Sequence, residues 1–440
     1  MSGRDGRDRT VAASADYDAV IVGASIAGNA AARLLGRAGA RVALVEQRPD
    51  PRAFKRVCTH LIQASAVPVV ERLGLLEPFL EAGAVRTGIR TWSRWGWAVP
   101  PPEEGIYGLN LRRERLDPIM RAAAAETPGV QLLLGQTAQR LVRDAGGAIG
   151  GVVVRGPDGH ETTLRAPLTI GADGRGSAIA RFARVPARMT PHGRFGYAAY
   201  FEGPAPGFAP DTAVWFMDPQ WAGAFPTDSG LVGYACMPTK DRLPEFKRDP
   251  DRALVSFIAD LPDAPPIRES RRVGATIGKL EMPNVQHEPT APGLALVGDA
   301  ALAADPLWGV GCGWALQSAA WMADAVAPAL GGAEPLAAGL ARYRRRWLRG
   351  LRGHARVLEQ YASGRKLSFG ERFAFSAAAR DERVAATVYA FGSRRIGPAR
   401  FFARVVPGAA AAHARHVLGR SGAAAGARPA PAGPAGAGAR

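Results

Sequence analysis

Residues Tyr17–Glu46 read YDAVIVGASIAGNAAARLLGRAGARVALVE, and this stretch decides the fold. Tyr17–Val22 is short, apolar and β-branched and stops at Gly23, the pattern of a buried strand. Ile26–Ala38 carries small and apolar residues at helical spacing and ends at Gly39-Ala40. Arg41–Val45 is a second apolar strand, with Glu46 and Gln47 at its tip. Strand, helix and strand within roughly 30 residues make the β-α-β unit of a dinucleotide-binding fold. The corner between the first strand and the helix is Gly23-Ala24-Ser25-Ile26-Ala27-Gly28. Gly23 makes the tight turn, and Gly28 permits close helix–strand packing. Backbone N–H groups at the helix start then face a pyrophosphate. Ser25 replaces the middle glycine of the usual pattern, so a Cβ crowds the phosphate while its hydroxyl can donate to it. Glu46 is placed to accept the ribose hydroxyls.

Outward from this unit the chain reads as one interwoven α/β molecule. Leu164–Ile170 and Leu294–Val297 are further buried strands, each running into a glycine-bearing turn. From about Phe195 to Met237 aromatic and small residues alternate, as in an antiparallel sheet, and from Gly313 to about Leu358 the spacing is helical. The expected organisation is a polar arm at 1–16 and a Rossmann-like dinucleotide-binding part at 17–184 with an insertion at about 60–110. A β-sheet substrate domain follows at 185–290. The dinucleotide-binding part resumes at 291–330, followed by a helical C-terminal region at 331–420 and an Ala/Gly/Pro tail at 421–440 expected to be disordered.

Composition narrows the function. The 440 residues are 47% hydrophobic and 22% charged, as in an ordinary globular protein. No apolar run reaches the roughly 18 residues of a membrane span. The N-terminus lacks an apolar signal core. Three scattered cysteines make neither a disulfide framework nor a zinc site, which points to a reducing cytoplasm. The net charge of +17 suggests nucleic acid, yet only five of the 56 basic residues are lysines and the arginines are dispersed. The densest run, Arg342–Arg352, falls in a helical pattern as a solvated face, so no nucleic-acid partner is expected. No Ser/His/Asp set and no metal-ligand spacing is identifiable among the seven histidines.

Two further motifs follow buried strands: Gly171-Ala-Asp173-Gly174-Arg-Gly-Ser-Ala-Ile-Ala-Arg181, and Gly298-Asp299-Ala-Ala301 continuing to Asp305-Pro306-Leu-Trp308-Gly309-Val310-Gly311-Cys312-Gly313. With the first corner, in this order and spacing, the chain resembles the flavoprotein monooxygenases related to para-hydroxybenzoate hydroxylase, and their geranylgeranyl reductase and flavin-dependent halogenase relatives. The resemblance spans about residues 17–330. It implies FAD as cofactor, with Asp299 on the ribityl chain and Gly298 allowing the approach. It also implies that Pro306, Gly309, Val310, Gly311 and Cys312 lead into a helix whose N-terminal amides face the flavin. Asp173 and Gly174 match the segment that contributes to FAD and NAD(P)H contacts, with a plain turn as the alternative. Arg113, in Arg113-Glu-Arg-Leu-Asp117, matches an arginine near the FAD, with a surface charge as the alternative. The sequence departs from the family at Leu302, where many members have His. It also lacks the second Trp of the halogenase W-x-W-x-I-P segment at Trp221–Pro226, and Lys55 has no halogenase-like context.

The resemblance implies a monooxygenase that hydroxylates or epoxidises a hydrophobic small molecule through a flavin C4a-hydroperoxide. O2 would be the co-substrate and NAD(P)H a transient reductant. A reductase or dehydrogenase acting on C=C bonds is the main alternative; halogenation and a non-catalytic flavoprotein are further ones, and a homodimer stays open. His60, Gln63 and Trp308 are the candidates for catalytic roles near the ring. Arg194, Tyr200, Trp215, Trp221 and Phe225 lie on the sheet expected to roof the substrate, with an ordinary aromatic core as the alternative. Cys312 is read as a small buried filler, with a redox or covalent role as the alternative.

Overall fold

The computed structural model describes residues 16–426, with side chains to 418; the expected N-terminal arm and most of the expected tail lie outside that range. The opening unit is strand β1 (Ala19–Val22), helix α1 (Ile26–Arg37) and strand β2 (Val42–Glu46). Its apolar run is buried on both faces, which suits the centre of a parallel sheet. The insertion supplies β3 (Ile89–Ser93) and β4 (Gly96–Ala98), and the chain returns through α2 (Arg113–Ala125), β5 (Val130–Leu134) and β6 (Leu168–Gly171). The expected strand at Leu164–Ile170 is in fact two. Leu164 belongs to Glu161–Arg165, which pairs in a separate small sheet, and only Leu168–Gly171 joins β1.

Next come β7 (Gly196–Glu202), β8 (Thr212–Phe216), β9 (Trp221–Pro226), β10 (Val232–Met237), α3 (Pro250–Ala259) and β11 (Arg271–Lys279). The dinucleotide part closes with β12 (Thr290–Ala291), β13 (Leu294–Leu296) and α4 (Val310–Leu330). Helices α5 (Leu336–Ala362), α6 (Phe369–Ala378), α7 (Glu382–Gly392) and α8 (Pro398–Gly426) complete the described chain. Helix α8 thus continues six residues into the stretch expected to be disordered, beginning at Ser421.

Two large sheets organise these elements. The first runs β12-β13-β6-β1-β2-β5, parallel except at β12. The second runs β11-β7-β10-β9-β8-β3-β4. It is antiparallel except where β8 meets β3 in parallel, because β3 comes from the insertion rather than from a neighbouring hairpin. Helix α4 is apolar around most of its circumference and packs against α1 and α5, so it forms the buried spine between the first sheet and the C-terminal helices. In the basic stretch of α5, Tyr343, Trp347 and Leu351 point into the core. Arg342, Arg344 and Arg346 pair with Glu334, Glu288 and Asp324.

Candidate flavin site

The glycine-bearing corners converge at the carboxyl ends of β1, β6 and β13. Gly23 has φ +104°, and a Cβ on it would lie 2.5 Å from the Ala172 carbonyl oxygen. A Cβ on Gly28 would lie 1.8 Å from the Gly23 oxygen, so α1 can start this close to β1 only with glycine there. Ile26 and Ala27 open α1 and are buried, while Ser25 caps no amide of the helix with its side chain. Glu46 accepts the Ala24 N–H at 3.0 Å and the Arg48 N–H at 3.0 Å, which fixes the carboxylate at the tip of β2. Spare lone pairs remain on both its oxygens. Gln47 beside it is exposed.

Arg113 starts α2 and is buried, which removes its reading as a surface charge. It pairs with Asp117 at 2.7 Å and donates to Ser25 Oγ at 2.7 Å. A cation is thereby held against the first corner. Asp299, just beyond β13, pairs with Lys55 Nζ at 3.0 Å. Burial alone would raise the Asp299 carboxyl, but the Lys55 charge overrides it and holds the group below its usual range. Gly298 donates its N–H to Ser318 Oγ at 2.9 Å, seating this turn on α4.

The start of α4 forms the third wall. Trp308 (φ 62°) and Gly309 (φ 63°) both adopt left-handed backbone, and the helix opens at Val310 with no side-chain cap. Its first amides therefore lack intrahelical acceptors. A Cβ on Gly311 would meet nothing within 4 Å, so this surface is open. Cys312 is buried, and its Sγ lies 3.6 Å from Cys58 Sγ. Pro306 leads this loop, which hangs on Asp305. That carboxylate, fully buried, receives Arg194 Nη2 at 2.5 Å and lies 2.6 Å from His192 Nε2. Burial would push it up, yet the Arg194 charge and the His192 hydrogen bond bring it down to about 2.

His60 sits between the two sheets at φ 63°. Its Nδ1 accepts the Arg113 backbone N–H at 3.1 Å, and its Nε2 meets the Tyr200 hydroxyl. Burial lowers the His60 pKa, so the ring is neutral at pH 7. Because the Arg113 amide can only donate, the neutral ring carries its proton on Nε2, and Tyr200 Oη accepts it. The Tyr200 proton is then free to point elsewhere. Arg112 lies over the Tyr200 ring at 5.5 Å.

Gln63 is fully buried, and its Nε2 donates to the carbonyls of Trp308 at 3.0 Å and of Gly392 at 2.7 Å. It ties the Trp308 loop to the end of α7, a structural engagement. Trp308 meets Phe391 edge-on and borders a narrow apolar cleft lined by Ile89, Thr91, Ala98, Phe375 and Val388.

The five expected roof residues divide. Tyr200 reaches His60, and Phe225 packs on Leu61 beneath it. Trp221 is buried in the main core. Trp215 lies on the opposite face of the sheet, against Trp97 and Phe208, with its Nε1 donating to Pro262 O, so it does not face the site. Both sheet faces are covered, and alternation alone does not tell them apart. Arg194 lies just before β7 rather than on it and anchors Asp305 from within the core. Asp173 accepts from Ser177 Oγ at 2.6 Å and from Ile179 N at 3.1 Å, the bonding of a turn; Gly174 follows it with open space around its Cα. Sequence reasoning did not assign Lys55, Cys58 or Asp305 to the site. The placement of Asp305 directly before Pro306, within the third motif, was the one available signal. Among the described residues no cluster suits a metal ion, and no helix is long and apolar enough to cross a membrane.

Comparison with known proteins gives the family. Residues 16–244 match the family model described as FAD binding domain. The chain is 25% identical to digeranylgeranylglycerophospholipid reductase 2 of Methanothermobacter thermautotrophicus, over 75% of this chain and 83% of that protein. It is 28% identical to squalene epoxidase 3 of Arabidopsis thaliana, over 72% of this chain and 62% of that protein. Among solved structures it resembles the flavin-dependent brominase Bmp2, with a TM-score of 0.74 at 18% identity, covering 92% of this chain and 99% of the other.

Proposed function

The chain belongs to the FAD binding domain family and is an FAD-dependent oxidoreductase, and from that premise we propose that it is a monooxygenase acting on an apolar small molecule. For each turnover NAD(P)H would deliver two electrons and O2 would be split between the product and water. The single observation that carries this reading is the apolar wall that Trp308 makes with Ile89, Ala98, Phe375 and Val388 next to the uncapped start of α4; the cleft there holds only about 20 Å³ and would have to open to admit a substrate. Aliphatic and aromatic walls favour an apolar substrate and exclude water from the reaction.

The residues present suit FAD: two helix starts without side-chain caps, a carboxylate at the tip of β2, and a buried cation at Ser25. Ser25, Ile26, Ala27, Glu46 and Arg113 would hold its adenosine and pyrophosphate parts, and Asp299 with Val310–Cys312 its ribityl and ring parts. A bound flavin supplies electron storage and reactivity toward O2. The chain's own part is orientation and proton control. The Tyr200 hydroxyl, with its lone pair engaged by His60 Nε2–H and its pKa pushed up by burial, keeps its proton and is positioned to donate a hydrogen bond to the reacting oxygen. Trp308 forms the wall against which the substrate lies, and Gln63 holds that wall in place. The described cysteines are all free, which suits the cytoplasm.

A second reading, reduction of a C=C bond, is favoured by the similarity to the archaeal reductase across three-quarters of the chain. Product mass decides between them. The purified, FAD-loaded protein is supplied with NAD(P)H, O2 and a panel of apolar alkenes and aromatics. A gain of one oxygen supports the monooxygenase; a gain or loss of two hydrogens, persisting under nitrogen, overturns it, as does incorporation of halide.

A further inference from the structure

Two thiols from distant parts of the chain meet at the wall of the candidate site. Cys58 lies in the segment between β2 and β3, and Cys312 is the third residue of α4; their sulfurs are 3.6 Å apart in a thiol hydrogen bond, with no disulfide between them. The surroundings are cationic. The His60 backbone N–H donates to Cys58 Sγ at 3.2 Å, and Arg113 Nη1 lies 3.7 Å from it. The hydrogen bond from Cys312, aided by the charges of Arg113 and Lys55, pulls the Cys58 thiol well below the usual cysteine range against the opposing effect of burial. The same contact, with burial, pushes Cys312 well above it. Cys58 is half-buried, whereas Cys312 is 5% exposed. Cys236 sits fully buried in the far core of the second sheet. A low thiolate pKa with partial access marks an attacking cysteine, and a shielded neighbour within reach marks a resolving one.

We propose that Cys58 and Cys312 form a reactive dithiol that low-molecular-weight disulfides oxidise reversibly to an intramolecular disulfide. The Cys58 thiolate attacks one sulfur of the small disulfide, forming a mixed disulfide and expelling one thiolate. Cys312 gives up its proton and attacks the Cys58 sulfur, expelling the second thiolate. The protein loses two electrons and two protons, and the small disulfide becomes two thiols. From 3.6 Å the two sulfurs must approach by about 1.6 Å to reach a bond of about 2.0 Å, within the range of side-chain rotation and a small backbone adjustment. The link would staple the segment bearing Lys55 and His60 to the start of α4.

The test uses the full-length FAD-loaded protein in oxidised glutathione, quenched with iodoacetamide, digested and read by mass spectrometry. The expected result is a Cys58–Cys312 linked peptide that dithiothreitol removes, with Cys236 unlinked. Cys312→Ser should accumulate glutathione on Cys58, and Cys58→Ser should slow modification of Cys312 by about tenfold or more. Three free thiols after oxidation, or separate glutathione adducts on Cys58 and Cys312 without a link, overturn the proposal. The wild-type result decides it even if a variant fails to fold.

Discussion

The Arg194 guanidinium meets the Asp305 carboxylate at 2.5 Å with neither side chain exposed, so the loop carrying Trp308 hangs on an ion pair inside the core. Arg194 also donates to the carbonyls of Pro219 and Tyr361 and lies 4.5 Å from the Tyr361 ring centre. Removing one partner leaves an uncompensated buried charge, which costs far more than an exposed pair would. Arg194→Met should therefore lower unfolding free energy by about 3–5 kcal/mol in urea titration. A loss below about 1 kcal/mol, the range of an exposed pair, would show that the pair holds nothing.

The same carboxylate gives an acid limit. Its folded pKa is lowered to about 2 from 3.8. A depressed carboxyl stabilises the fold above its unfolded pKa, and that contribution is lost as pH falls through the folded one. Stability should thus decline between about pH 4 and pH 2, more steeply in the wild type than in Asp305→Asn. Parallel denaturation curves for the two proteins across that window would refute the assignment.

Asp299 and Lys55 close one side of the site across 244 residues of sequence. If Asp299 holds the ribityl chain, Asp299→Ala should weaken FAD binding by about 10- to 100-fold, the value of one or two charge-assisted hydrogen bonds. Flavin fluorescence on titration into protein freed of FAD measures this. Unchanged affinity would remove Asp299 from the cofactor's partners and leave it as a counter-ion for Lys55.

His60 and Tyr200 divide proton handling from binding. Tyr200→Phe should lower turnover by about 10²-fold with FAD content unchanged, since the ring and its packing persist. The histidine adds a stability signature. Burial depresses its pKa, so below about pH 6.5 the unfolded chain takes a proton that the native ring resists. Stability rises with pH through that window and falls on acidification. His60→Gln should flatten this dependence between its lowered pKa and 6.5, read as thermal midpoints against pH.

Legibility from the sequence tracks the range of the interactions. The β1-α1-β2 unit was readable because burial, turn and helix all act within neighbouring residues, and Gly28 is required by a contact only five residues back. Lys55 with Asp299, Cys58 with Cys312, and Gln63 with Gly392 were not readable. They bridge 244, 254 and 329 residues, and no periodicity encodes a partner at such separations. Trp215 failed for another reason. Alternation along β8 separates two faces, but both are packed, one on the core and one on α3, so no polar row marks the outside.

Gly311 separates the needs of the fold from those of the cofactor. A Cβ there meets nothing within 4 Å, and the position lies in the first turn of α4, where φ is helical. Replacing glycine in a helix raises its propensity, by up to about 1 kcal/mol for alanine. Gly311→Val should therefore leave the flavin-free protein folded, with a thermal midpoint at least near that of the wild type. The branched side chain projects from the surface on which the flavin is proposed to rest, so FAD content after purification should fall about tenfold or more, the 1.4 kcal/mol equivalent of a lost close contact. Gly28→Ala is the counterpart: its Cβ would strike the Gly23 oxygen, and folding itself should fail. Equal FAD content in Gly311→Val and wild type would mean that the ring does not lie against the start of α4.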